Sequence, residues 1–297
     1  MDEEGRKCVA LPRLVQSLVG KKVVAISAGD MHTAVCTADG ELYTFGAGYE
    51  GQCGHGSPNS EVVPRRVKAL TGENVVGVSC GDEHTMALTD GGAVFTFGCG
   101  ARHQLGHGGT NNELVPRRVE ALDGVAIAGI DAGTFHSVAW TGTGELYTWG
   151  YGENGRLGHG GLEDEPLPRL VEALVGRIVK GVAAGAEHTV AWTDMGELLT
   201  WGNGGQGRLG HGEPQAGESP LELVPRVVQA LAGQRVVMAS AANHTIVLTA
   251  ADQVRWFGPV FHEDEDEDED EDEEGLLPAP TWAPNVLDLD GALAGVP

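Results

Sequence analysis

The sequence predicts an all-β protein, a β-propeller of about five blades with four antiparallel strands each, in an open or imperfectly closed arc. Three observations predict it. His32, His84, His136 and His188 lie 52 residues apart, each in a similar context such as "CGDEHTM" or "AGTFHSV", and His244 follows after 56. The same period recurs at His55, His107, His159 and His211 in "CGHG" or "LGHG", and at the proline of "LPRLV", "VPRRV" and "VPRVV". Glycine supplies 46 of 297 residues without a collagen period, and proline only 14, so the excess marks tight turns. Self-similarity at a fixed period of this size marks a repeat architecture.

Taken in order, residues 1–22 read as a partial repeat, because "ALPRLVQSL" supplies only a fourth-strand segment before the first hairpin. Residues 23–258 hold the full repeats. One copy, "VVGVSCGDEHTMALTDGGAVFTFG", gives an apolar run ending in glycine, an alternating run, the turn "TDGG" and a second alternating run closed by an aromatic and glycine. Those are three short strands. "LVPRRVEAL" adds a fourth, whose proline suits an edge because it cannot donate to a ladder. Four strands per unit is the pattern of a propeller blade. Residues 259–275 form an acidic low-complexity loop in the slot that "GHG" fills elsewhere. Residues 276–297 read as the end of the fifth repeat, with "LLPAPTW" as its fourth strand, and "NVLDLDG" begins an incomplete sixth.

"GELYTWGYGENGRLGHGG…PLPRLVEALVGRIVKGVAAGAEHTVAWTD" resembles the repeat of the RCC1 (regulator of chromosome condensation) superfamily, and the likeness covers nearly the whole chain. The resemblance implies an RCC1-like propeller. It is weak for function, since the family includes exchange factors for Ran-type GTPases, a plant ultraviolet-B receptor, and propellers attached to ubiquitin ligases. A seven-bladed ring at this period would need more residues than the chain has, so either the arc is open or the chain is a fragment of a longer protein.

"GYGENG" (150–155) matches the Gly-x-Gly-x-x-Gly of a dinucleotide loop, but "GAGYEG" and "GNGGQG" repeat it at the blade period. A cofactor loop must open a helix at the pyrophosphate. The continuation "RLGHGG" is too glycine-rich for one, so the motif reads as a turn leaving the third strand, and no cofactor is expected. The first histidine set invites a catalytic or metal reading. Equivalent positions on successive blades are turned about the ring axis, so they cannot converge on one ion. Each is expected to bond backbone groups at the start of its strand, and the second set to order its loop. The ultraviolet-B receptor uses Trp-Arg pairs before this histidine. Here the pairs are Asp30-Met31, Asp82-Glu83, Thr134-Phe135, Ala186-Glu187 and Ala242-Asn243, so photoreception is not expected. No catalytic grouping stands outside the repeat, and the protein reads as a non-enzymatic scaffold whose variable loops on one face, 47–62, 99–114, 151–166, 203–223 and 259–275, bind a protein partner.

The net charge is -24, and the run Glu263, Asp264, Glu265, Asp266, Glu267, Asp268, Glu269, Asp270, Glu271, Asp272, Glu273 and Glu274 supplies twelve of those charges, leaving -12. An acidic body disfavours direct nucleic-acid binding. The run reads as a solvated loop, or as the landing site of a basic protein such as a histone. A small GTPase is the other partner class that the resemblance implies. No signal peptide or long apolar run is seen, the five cysteines form no C-x-x-C pair, and a cytoplasmic or nuclear location without membrane contact is expected. Oligomeric state is left open.

Overall fold

The computed structural model describes residues 11–212, 220–259 and the backbone of 281–286. Each period folds into one four-stranded antiparallel sheet, with strands in sequence order. The first blade holds β1 (Val23–Ala28), β2 (His32–Thr37), β3 (Leu42–Gly46) and β4 (Glu61–Arg66). The second holds β5 (Val75–Cys80), β6 (His84–Thr89), β7 (Val94–Gly98) and β8 (Glu113–Arg118), and the third β9 (Ile127–Ala132), β10 (His136–Thr141), β11 (Leu146–Gly150) and β12 (Glu165–Leu170). The fourth holds β13 (Val179–Ala184), β14 (His188–Thr193), β15 (Leu198–Asn203) and β16 (Leu221–Val227), and the fifth β17 (Val236–Ala241), β18 (Thr245–Thr249), β19 (Val254–Gly258) and β20 (Thr281–Val286).

The alternation of apolar and polar residues sends one face of each sheet into the sheet beside it, so the core is divided among the interfaces between blades. Four clusters result. Leu42, Val67, Val75 and Phe97 join blades one and two; Met86, Val119, Ile127 and Trp149 join two and three. Val138, Leu174, Val179 and Trp201 join three and four; Val190, Leu231, Val236 and Phe257 join four and five. Among the described residues the two outer faces of the arc lack such a partner. Ile246 is 36% exposed, whereas its equivalents Ala34, Met86, Val138 and Val190 are fully buried. Val23 is 42% exposed, against at most 5% for Val75, Ile127, Val179 and Val236. Among the described residues no sheet closes on itself.

Two boundaries differ from the sequence reading. The segment around "ALPRLVQSL" forms no strand in residues 11–22, where only a short 3-10 turn, Gln16–Leu18, appears. Every fourth strand pairs with the third strand of its own blade, and among the described residues no such strand stands beside this segment. The fourth strand of the fifth blade holds Thr281–Val286, pairing Gly258 with Thr281 and Arg255 with Val286, and so runs beyond the expected 276–282, of which residues 276–280 lie outside the described residues. This places Pro284 where Pro64 lies in β4, so the insertion between strands is longer than an alignment on Pro278 allows. Asn285 and Val286 thereby belong to the fifth blade. The acidic run Glu263–Glu274 and the remainder of the expected sixth unit lie outside the described residues.

Candidate interaction face

The repeated histidines join one blade to the next. His32 Nε2 meets the Thr85 hydroxyl at 2.7 Å, His84 meets Ser137 at 2.9 Å, His136 meets Thr189 at 2.9 Å and His188 meets Thr245 at 2.8 Å. Each hydroxyl gives its own hydrogen to a loop carbonyl of the preceding blade: Thr85 to Gln52, Ser137 to Gln104, Thr189 to Arg156 and Thr245 to Arg208. With the hydroxyl hydrogen committed, the imidazole must be the donor, so each Nε2 carries a proton. The partner is therefore a side chain of the next blade, not the backbone expected from sequence, because the ring points across the interface. Burial pushes His32 down to about 4, His84 and His188 down to about 3, and His136 well below its ordinary value. His244 is half-buried and has no hydroxyl of a further blade against it among the described residues.

The second set acts within a blade. His55, His107, His159 and His211 meet the hydroxyls of Thr44, Thr96, Thr148 and Thr200 at 2.9–3.0 Å, and those hydroxyls donate to carbonyls of the same loop. All nine histidines are thus spread around the arc. Among the described residues no group of His, Cys, Asp or Glu could hold a metal ion, and no helix is long and apolar enough to cross a membrane.

The glycine motif has a similar account. Gly150 sits at φ +105°, and a Cβ there would lie 2.7 Å from the Phe135 carbonyl oxygen. Gly155, at φ +74°, lets the loop approach Leu223 of β16, whose Cδ2 would be 2.7 Å from a Cβ. The motif leads into a three-residue 3-10 turn, Glu153–Gly155, which is no platform for a pyrophosphate.

The turn pairs before the repeated histidines, which differ from blade to blade, gather at one end of the arc. There the turns into the second strands line a central opening of about 440 Å³ that includes Asp30, Asp82, Thr134 and Asn243. Beside it lies a cavity of about 430 Å³ walled by Phe135, Tyr151, Glu153, Arg156, Glu187 and Arg208. Arg102 and Arg156 both lie over the Tyr151 ring, at 4.4 and 5.0 Å, and Phe135 meets that ring edge-on at 6.1 Å. The sequence reading places Arg102, Tyr151, Glu153, Arg156 and Arg208 in variable loops and Phe135 and Glu187 in the turn pairs, but singles out none of them as a site residue. The available signal was a departure from the repeat: positions 52 and 104 are Gln, whereas 156 and 208 are Arg.

The family model of the RCC1-like domain matches residues 2–278. The human E3 ubiquitin-protein ligase HERC2 is 38% identical over 244 residues, which is 81% of this chain and 5% of that protein. The ultraviolet-B receptor UVR8 of Arabidopsis thaliana is 36% identical over 240 residues, 80% of this chain and 53% of the receptor. The crystal structure of Prp20p from Saccharomyces cerevisiae superposes with a TM-score of 0.69 at 21% identity, covering 80% of this chain and 58% of that one. The chain therefore spans about half of UVR8 and a small part of HERC2. With the repeated blades and the matching family model, this chain belongs to the RCC1-like domain family.

Proposed function

We propose that the chain is a non-enzymatic scaffold whose loop face at the central opening engages a protein partner. The observation that carries this reading is the division of labour within the repeat. The histidines and hydroxyls that could do chemistry are spent on joints between blades or within loops, while the turn pairs Asp30-Met31, Asp82-Glu83, Thr134-Phe135, Ala186-Glu187 and Ala242-Asn243 differ on a constant frame. Variable side chains on rigid turns are the usual substrate of recognition. The acidic run Glu263–Glu274 adds a second means of attraction, toward a basic segment such as a histone tail.

The alternative is a guanine-nucleotide exchange factor for a Ran-type small GTPase, as the family resemblance implies. Prp20p, of the same fold, is described with its binding to Gsp1p and histones. The likeness to HERC2 supports a third setting, a propeller within a larger ligase or signalling protein. Release of labelled nucleotide from a Ran-type GTPase decides between the first two: no acceleration is expected, and acceleration would overturn the scaffold reading. A Lys-rich histone-tail peptide should bind the intact chain at low salt, and should lose that binding when Glu263–Glu274 is deleted or salt is raised.

A further inference from the structure

Arg156 is a buried charge with no ion-pair contact, its neighbouring carboxylates Glu187, Glu153 and Asp164 acting on it only through space. It is only 2% exposed, and among the described residues no carboxylate lies within ion-pair distance of it. Its Nε donates to the Glu153 carbonyl at 2.8 Å and its Nη1 to the Ala186 carbonyl at 2.6 Å, while its Nη2 has no hydrogen bond to a described residue. Burial lowers its affinity for its proton. A buried cation of this kind is costly unless something pairs with it.

The neighbouring blade shows what is missing. Arg208, at the equivalent position, gives Nη1 to the Glu187 carboxylate at 2.6 Å. Glu187 belongs to the turn of its own blade, and the matching position in the third blade is Phe135. The repeat has thus replaced the intramolecular carboxylate by an aromatic ring, beside an open cavity of about 430 Å³ that Arg156 helps to line. We propose that this cavity binds a carboxylate side chain of an acidic segment in a partner protein, seated on Arg156 against the Tyr151 and Phe135 rings.

This rests on the scaffold reading and supplies the chemistry of its partner. A single negative charge fits better than a phosphate. Glu187 is already shared by Arg208 and Asn203, and the Glu153 carboxylate accepts the Tyr151 hydroxyl, so both remain as fixed negative charges in the wall that a dianion would feel more strongly. The exposed Arg102, over the Tyr151 ring, adds attraction beside the cavity.

The test uses three N-acetylated, C-amidated heptapeptides, alike except for a central Glu, Gln or phosphoserine, titrated into the full chain. Binding is read from the Arg156 Nε–Hε resonance. The Glu peptide should shift that resonance saturably, at least tenfold more tightly than the Gln peptide. Equal binding of the two, or no shift with either, would overturn the proposal. Tighter binding of the phosphoserine peptide would overturn the choice of carboxylate.

Arg156→Gln places there the residue that the first two blades carry as Gln52 and Gln104, so it preserves a loop the repeat already builds. With it the Glu peptide, read by fluorescence anisotropy of a labelled version, should lose at least tenfold in affinity; unchanged affinity would refute the site. Phe135→Glu restores the intramolecular carboxylate, and should raise the melting temperature while abolishing binding. A failure in these titrations overturns the pocket and leaves the scaffold to stand or fall by the exchange assay, whereas accelerated nucleotide release overturns the scaffold and leaves the pocket standing.

Discussion

Lowering the pH from about 7 to about 5.5 should remove several kcal/mol of stability through the joints between blades, and the magnitude follows from the imidazoles. His32, His84 and His188 are held neutral by burial at about 4, 3 and 3, against an ordinary value of 6.5. A folded-state value below the unfolded one means that the unfolded chain takes up protons first. Stability is therefore complete above 6.5 and is lost as pH falls toward the folded value. Over that interval each of the three gives up about 1 kcal/mol, or about 3 to 4 kcal/mol together. His136 acts in the same sense. Asp82 and Asp131, whose carboxyls burial raises, act in the opposite sense. Urea unfolding followed by tryptophan fluorescence at the two pH values measures the net change. Replacing His84 and His188 with Gln keeps an N–H donor facing Ser137 and Thr245 but removes both titrations. The pH dependence should then shrink by about 2 kcal/mol, with the aspartates cancelling between the two proteins. An undiminished dependence in the double variant would refute the neutral, buried latch.

Three further outcomes are expected. Ser137→Ala strands the His84 N–H and should cost about 1 to 3 kcal/mol, whereas Ser137→Thr, the residue at the equivalent Thr85, Thr189 and Thr245, should stay within about 0.5 kcal/mol in the same denaturant titration. Met86→Ala, between the second and third blades, should cost about 2 to 5 kcal/mol, while Ile246→Ala, the equivalent change on the open face, should cost under about 1 kcal/mol; similar values by calorimetry would mean that the outer face is covered. Gly150→Ala, at φ +105° against the Phe135 carbonyl, should destabilise by more than about 1 kcal/mol, and titration calorimetry with NAD should give no binding heat in either protein.

The repeat and the four strands of each of the first four units were legible in the amino-acid sequence. Period-two alternation between glycine turns is a local signal, and copying it five times makes it unambiguous. Sequence also sufficed to dismiss the dinucleotide loop, since "GYGENG" recurs at the blade period and leads into "RLGHGG". The partners of the histidines were beyond it. His84 finds Ser137 53 residues away, across an interface whose register depends on how two sheets pack. The fourth strand of the fifth blade was misplaced for a related reason: proline marked it, and three prolines, Pro278, Pro280 and Pro284, were available until pairing with β19 chose among them. Arg156 stands out as an unpaired charge only when the blades are packed together, because its missing partner is defined by the turn of Phe135, twenty-one residues earlier in sequence and adjacent in space. Local chemistry wrote the blades, and contacts between them decided which side chains remain available to a partner.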